Sequence, residues 1–155
     1  MNEKITKKIG EAHAFAQVLE STFVANETVM TQLLQGSASA VVETATAQRD
    51  ALAAICEAAG TTEILLAKSA KTSEKITKMG EMYVGDDWDD AAEVLEWMSF
   101  FIGGAIIHWQ LIAGAGAAMD HPELQQTSGN GVAFYEHLLE HLKLAATDIG
   151  TKRSQ

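Results

Sequence analysis

The feature of this chain that most restricts its fold is a run of 23 residues, 97–119, that contains no Asp, Glu, Lys or Arg. As an α-helix this run is about 35 Å long, which is enough to cross the hydrocarbon core of a membrane. Only eleven of its residues are Ile, Leu, Met, Phe or Trp, and His108 and Gln110 lie near its middle. A helix of this kind needs cover on every side, from other helices or from lipid.

Acidic residues flank this run on both sides, and they favour cover by protein. Six of them lie within residues 86–96, and Asp120 and Glu123 follow the run. A membrane span normally has basic residues on one flank, whereas carboxylates in the first turn of a helix stabilise the positive end of its dipole. We therefore predict a central apolar helix near 87–119 and disfavour membrane insertion, keeping a membrane-inserting helical protein as the second alternative.

The rest of the chain also has the pattern of helices. Pro122 is the only proline, so little interrupts the backbone hydrogen bonds of a helix. From Ile5 to Leu33 a seam of positions, all apolar except Asn26, recurs at gaps of four and three residues, which is typical of packed helices. Glycine-centred breaks divide the chain into five predicted helices, at 3–34, 38–59, 62–83, 87–119 and 131–149.

These helices predict an all-α fold in one domain, 1–155: an up-and-down bundle of four to five helices that is ferritin-like in general architecture. A resemblance to the ferritin-like di-iron carboxylate proteins implies bound metal and an oxidoreductase or storage role. In that family, Glu-x-x-His pairs on two helices help to hold the two metals. The sequence departs from this signature, because none of its five histidines has a Glu three residues before it.

The charge balance bears on the partners of the protein. Acids outnumber bases by 21 to 11 and the net charge is −10, which argues against binding to nucleic acid. Four lysines with helical spacing have no aromatic or Gly-rich element beside them, so we predict a solvated helix face for Lys68, Lys71, Lys75 and Lys78. A single cysteine, and no apolar leader after Met1, predict a cytoplasmic protein.

One short string has a catalytic precedent. Residues His137 to His141 read His-Leu-Leu-Glu-His, which resembles the His-x-x-Glu-His motif of the inverted zinc metallopeptidases. In that family the two histidines bind Zn²⁺ from adjacent helical turns, and the glutamate polarises the bound water. On a helical wheel the two histidines lie at the margin of the buried face and Glu140 lies nearly opposite that face, which favours amphipathic spacers over metal ligands.

His108 lies inside the apolar run, and we expect it to be buried with a hydrogen-bond partner. If the protein binds Fe, Mn or Zn, the predicted ligands are His108, His137 and His141. Glycines in the same run suggest a second kind of site, because each glycine in a helix costs about 1 kcal/mol relative to Ala and needs a compensating contact. Close helix packing is one explanation, and a pocket for a flat or elongated apolar ligand, lined by Gly103, Gly104 and His108, is the other.

The leading functional hypothesis is a non-catalytic helical bundle that acts as a self-associating scaffold or binds a small apolar ligand. The alternative is a ferritin-like metal-binding protein. We expect a homo-oligomer, because a helix that is apolar on every side needs neighbours on every side, which a second subunit can help to supply.

Overall fold

The computed structural model describes residues 1–36 and 38–155, and these residues form helices and no strands. The all-α prediction is therefore confirmed for the part of the chain described. The six helices found there are α1 (Glu3–Ala25), α2 (Glu27–Leu34), α3 (Ala38–Ala58), α4 (Thr62–Val84), α5 (Ala91–Ala118) and α6 (Pro122–Arg153).

Local chemistry at the helix ends accounts for where the last two helices begin. The Asp90 carboxylate caps α5 by accepting a hydrogen bond from the Ala92 amide at 2.8 Å. His121 caps α6, since its Nδ1 accepts from the Leu124 amide at 3.3 Å. Pro122 occupies the first turn of α6, where its missing N–H costs nothing. His121 and Pro122 thus start α6 only a few residues after α5 ends at Ala118, and α5 and α6 pack side by side.

The predicted count of four to five helices is wrong, because the described residues contain six. The segment predicted at 3–34 divides at Asn26, whose backbone leaves the helical region with φ −126° and ψ 37°. The segment predicted to begin at residue 131 begins at Pro122, so Gly129 and Gly131 lie inside a continuous helix. Gly131 is kept within the helix for packing, since the Trp109 ring occupies the space where its Cβ would lie.

The predicted central position of the apolar helix is also wrong. The most enclosed helix is α1, in which residues 9–16 are all buried over more than two consecutive turns. Gly10, Ala12, Ala14 and Ala16 lie in this stretch, and their small side chains let α3, α4 and α5 approach α1 closely. An alanine Cβ at Gly10 would lie 2.9 Å from the Leu65 carbonyl oxygen, which shows how close α4 comes. Small residues, not large apolar ones, mark the centre of this bundle.

Helix α5 packs one face on α1 and α6 and leaves the other face in solvent. Phe100 and Ile107 are each 62% exposed and Leu111 is 51% exposed. The helix is long and apolar enough to span a membrane, but 33% of its most apolar window is buried inside the protein. A core helix of a soluble protein has the same length and composition, so these properties do not distinguish the two settings.

The relative directions of three helices position the candidate site. Glu11 of α1 contacts Lys68 of α4, and residues further along α1 meet residues further along α4, so the two helices run parallel. Glu11 also contacts His108 of α5, whereas Phe15 contacts Phe101, so α1 and α5 are antiparallel. A groove forms where the three helices diverge.

Candidate functional site

The best-formed cavity that joins apolar and charged groups lies between α1, α4 and α5, and we refer to it as the trough. Its volume is about 310 Å³, at the lower end of the range for small-molecule sites. Aromatic rings of Phe15, Trp97 and Phe101 form its floor, and Gly104 leaves one wall without a side chain. The trough therefore offers a mainly apolar surface to a ligand.

Phe15 is the centre of the aromatic floor. Its ring centroid lies 5.2 Å from that of Phe101 and 4.9 Å from that of His108. Trp97 extends the floor toward α4, with its centroid 6.4 Å from that of Phe101. These separations are typical of favourable aromatic pairs, which hold the floor in a fixed shape.

One end of the trough is polar and is built around the Glu11 carboxylate. Glu11 Oε2 lies 2.8 Å from Lys8 Nζ, and Glu11 Oε1 lies 2.9 Å from Lys68 Nζ. His108 Nδ1 approaches Glu11 Oε2 to 3.0 Å, but at an angle that does not make a hydrogen bond. The Glu11 side chain is only 11% exposed, so the ammonium groups of Lys8 and Lys68 neutralise a carboxylate that is largely removed from water.

The ionisation of this cluster follows from burial and charge. Burial raises the pKa of Glu11, but the hydrogen bonds and charges of Lys8 and Lys68 outweigh it, and the net pKa lies below the usual value. Burial lowers the pKa of His108; the Glu11 charge opposes this shift and the Lys8 and Lys68 charges add to it. At neutral pH the cluster therefore contains a carboxylate, two ammonium groups and a neutral imidazole.

The rim of the trough on α4 carries further positive charge. Lys68, Thr72 and Lys75 line it, and no acidic group lies within ion-pair distance of Lys75 among residues 1–36 and 38–155. Counting Lys8, Lys68, Lys75 and Glu11, this end of the trough has a net charge of about +2 on a protein whose net charge is −10. The lysine stripe predicted as a solvated face thus contributes two of its members to the trough.

The predicted ligand site is only partly assembled. Gly104 and His108 line the trough, whereas Gly103 does not, and a Cβ at Gly103 would meet nothing within 4 Å. His108 is half-buried instead of buried, with a side chain 28% exposed. Sequence reasoning missed Glu11 and Phe15, which belong to a helix far away in the chain and lie outside the seam positions of α1.

Behind the trough, α1 places a second histidine against α4. His13 Nδ1 lies 2.7 Å from Ser69 Oγ, and both residues are buried. Burial and the nearby Arg49 charge lower the pKa of His13 to about 4, although Asp50 opposes the shift. In the sequence His13 shares one side of the first helix with Glu20 and Glu27, which favours a solvated edge; this prediction is wrong, because His13 is only 6% exposed. It is a neutral structural contact between α1 and α4.

The predicted metal ligands do not form a three-residue site. His137 and His141 lie together on α6 with their Nε2 atoms 3.1 Å apart, but His108 belongs to the trough. Across the described residues, no group of three or more His, Cys, Asp or Glu side chains is arranged to hold a metal. Glu140, the acid of the metallopeptidase motif, accepts a hydrogen bond from Lys143 Nζ at 2.9 Å. Only the histidine pair keeps the geometry that the motif suggests.

Other clefts offer less chemistry than the trough. The two around Trp88 have volumes of about 360 and 450 Å³, and their acidic side chains, such as Glu81 and Asp86, are exposed and bring no basic partner into the cleft. Neither combines an aromatic floor with a buried charge. We therefore take the trough as the candidate site.

Comparisons with known protein families, with curated proteins and with solved structures find no match to this chain.

Proposed function

We propose that this protein is a non-catalytic binding protein, and that the trough holds a small molecule with an apolar body and an anionic end. The observation that carries the proposal is the junction of an aromatic floor with a polar end that has excess positive charge. Binding sites for small molecules typically combine a mainly apolar lining with a few convergent polar groups. The volume of about 310 Å³ suits a chain of about ten carbons or a bicyclic ring system.

The proposal of an anionic end follows from the charges at the rim. Glu11 is already paired with Lys8 and Lys68, so it has little capacity to attract a further cation. Lys75 lies at the same rim and is free to pair with a ligand carboxylate. A charged contact of this kind in partly exposed surroundings contributes about 0.2–1 kcal/mol, so the apolar body supplies most of the affinity.

The chemistry of the titratable groups favours binding over catalysis. Ion pairing lowers the pKa of Glu11, which makes its carboxylate a weak base. His108 is neutral, but its Nδ1 faces the paired Glu11 carboxylate. In this arrangement both groups shape and polarise one end of the trough.

Isothermal titration with decanoate and decanol tests the proposal, because the two probes share a chain length and differ in the charge of the head. If each heavy atom of decanoate contributes about 0.4 kcal/mol of binding free energy, we expect a Kd of about 0.3 mM. Decanol should bind roughly threefold more weakly, because its uncharged head cannot form the exposed ion pair. Failure of both probes to bind below about 5 mM would refute the proposal.

A matched pair of variants locates the binding site. In Gly104→Leu the new Cβ lies 3.4 Å from Phe15 Cζ, so the side chain has to extend into the trough, and we expect at least a tenfold loss of decanoate affinity. Gly103→Leu adds the same side chain one residue away, outside the trough, and should bind normally. Equal effects of the two variants would place the ligand elsewhere.

The variant Lys75→Met tests the anionic end of the ligand. It should remove the preference for decanoate over decanol and leave decanol binding unchanged.

Metal binding by the histidine pair is a second candidate function, because one observation favours it. Two Zn–N bonds of about 2.0–2.1 Å meet at one ion when their nitrogens lie roughly 2.9–3.4 Å apart. The Nε2 atoms of His137 and His141 are 3.1 Å apart on adjacent turns of α6. We infer a two-histidine chelate for Zn²⁺ whose other ligands are water, which is a weaker site than a ferritin-like di-iron centre.

Zinc titration of tag-free protein tests this chelate. We expect one weak site in the wild type, a loss of at least tenfold in affinity in His137→Gln or His141→Gln, and no change in His108→Gln. Elemental analysis of the purified protein should show less than an equivalent of Fe or Mn, because two imidazoles alone do not suit a carboxylate-rich metal centre. A loss in His108→Gln as large as in the other two variants would restore the three-histidine hypothesis.

A further inference from the structure

An exposed apolar surface extends from the end of α4 along the outer side of α5, and we refer to it as the α5 patch. Its members from α5 are Phe100, Ile107 and Leu111, and its members from α4 are Met79, Met82 and Tyr83, with exposures between 42% and 86%. The Tyr83 and Phe100 rings are 5.4 Å apart, which joins the two helices into one surface. Ile107 and Leu111 continue it two and three helical turns further along α5.

The area of the α5 patch exceeds what a monomer normally exposes. Taking roughly 200 Å² for each large side chain, the six exposed fractions leave roughly 700 Å² of surface in water. The largest apolar patch on a typical monomer measures about 300–600 Å². A standard protein–protein interface buries about 800 Å² on each partner. The α5 patch is therefore of the size that a stable dimer needs.

The order of large and small residues along α5 suits pairing of the helix with a copy of itself. A Cβ at Gly103 or Gly114 would meet nothing within 4 Å, so contacts within the chain do not explain these glycines. In an antiparallel pair whose two-fold axis crosses the exposed side of α5 midway between Ile107 and Leu111, Ile107 faces Leu111 of the second copy. The same register places Phe100 opposite Ala118 and Gly104 opposite Gly114 of the second copy. Phe100 thus meets a small side chain, Ile107 and Leu111 form an apolar contact, and the glycines permit close contact of the backbones.

Charge favours the antiparallel arrangement and a protein partner. The α5 patch contains no charged residue between positions 97 and 119, whereas six acids lie in residues 86–96 at one end. A parallel pair would bring the two acidic ends together, and an antiparallel pair places the two Glu96 side chains roughly 40 Å apart. The six acids before the apolar run would be repelled by an anionic bilayer, and near the patch only the lysines at the trough rim, among them Lys75 beside Met79 and Phe100, would oppose this repulsion.

We propose that a second copy of this chain covers the α5 patch in an isologous antiparallel dimer. The axis passes midway between Ile107 and Leu111 on the exposed side of α5, and the α5 helices of the two copies form the centre of the interface. Met79, Phe100 and Gly104 belong both to the trough lining and to the proposed interface, whereas Ile107 and Leu111 lie outside the trough lining, so substitutions at these two positions test the dimer without altering the trough.

Analytical ultracentrifugation of the full chain at 1–100 µM tests the dimer. We expect a dimer for the wild type and a monomer for Leu111→Glu and for Ile107→Glu across this range. Leu66→Glu is the matched control, since Leu66 of α4 is also 51% exposed but lies outside the patch, and it should stay dimeric. A monomeric wild type at 100 µM, or equal behaviour of Leu111→Glu and Leu66→Glu, would overturn the proposal. So would a monomer that co-sediments with vesicles of phosphatidylcholine and phosphatidylglycerol.

The register is tested by spin labels at Glu96→Cys, because the native Cys56 is fully buried and does not react with the label. Pulsed electron resonance should give a distance of roughly 40 Å between labels in the antiparallel dimer. A distance below roughly 20 Å would indicate parallel helices and contradict the proposed axis.

Discussion

Replacement of Gly131 by alanine is expected to destabilise the protein by at least about 2 kcal/mol, although alanine is the better helix former. The new Cβ would lie 2.2 Å from Trp109 Cε3 and 2.4 Å from Trp109 Cδ2, distances that no side chain tolerates. The Trp109 ring cannot move aside, since it is fully buried and packs against the equally buried Tyr135. Either α6 has to move away from α5 or the ring has to leave its rotamer, and both changes disturb the core.

Gly129 provides a control on the same helix. A Cβ at Gly129 would meet nothing within 4 Å, so Gly129→Ala should stabilise the protein by up to about 1 kcal/mol through helix propensity alone. Urea denaturation of both variants and the wild type, at one protein concentration, measures the two free energies of unfolding. Changes of the same sign in the two variants would contradict the packing of Trp109 on Gly131.

A second large effect is expected on acidification. The pKa of His13 is about 4 in the folded protein and near 6.5 in the unfolded chain, so between these values the unfolded chain binds the additional proton. The stability contributed by neutral His13 is fully present above pH 6.5 and is lost as the pH falls toward 4. The full loss corresponds to roughly 3 kcal/mol at pH 4. The physical cause is the cost of charging an imidazole buried between α1 and α4, close to Arg49.

The variant His13→Asn isolates this effect, because asparagine keeps a polar atom near Ser69 and does not titrate. We expect the wild type to lose stability relative to the variant as the pH falls from 6.5 to 4.5, with little relative change between pH 7 and 8. Chemical denaturation at each pH gives the difference, in which contributions from Glu11 and His108 largely cancel. Parallel pH profiles for the two proteins would show that His13 is accessible to protons in the folded state.

Much of the fold follows from local patterns in the sequence. The helical spacing from Ile5 to Leu33 predicts the buried side of the first two helices, and glycine breaks predict the ends of α3 and α4 to within a few residues. The break at Asn26 has no glycine or proline to signal it. The start of α6 is missed because Gly129 and Gly131 resemble a turn, and only the distant Trp109 ring explains why Gly131 lies inside a helix.

The extent to which each helix is buried could not be predicted from its hydropathy. Helix α5 is the most apolar helix, yet it exposes Phe100 and Ile107, whereas α1 is enclosed although it contains Glu11 and His13. Small residues let the neighbouring helices approach α1 closely. Lys8 and Lys68 pair with Glu11, and Ser69 forms a hydrogen bond with His13. The contacts between α1 and α4 join residues more than fifty positions apart in the sequence, so no local pattern predicts them.

The site was predictable only where the sequence itself was unusual. Gly104 and His108 interrupt an apolar run, which marked them as candidates, and both line the trough. Lys75 is one of several lysines with helical spacing, and nothing in its neighbourhood separates it from a solvated residue. Its role depends on the direction in which α4 crosses α1, which is a property of the packed bundle.

We propose that the trough between α1, α4 and α5 holds a ligand with an apolar body and an anionic end. The most direct test is a heteronuclear NMR titration of the isotope-labelled wild-type protein with decanoate. We expect saturable shifts concentrated on Phe15, Trp97, Phe101, Gly104 and His108, which disappear in Gly104→Leu and persist in Gly103→Leu. Shifts confined to Ile107 and Leu111 on the outer side of α5, or no saturable shifts, would contradict it.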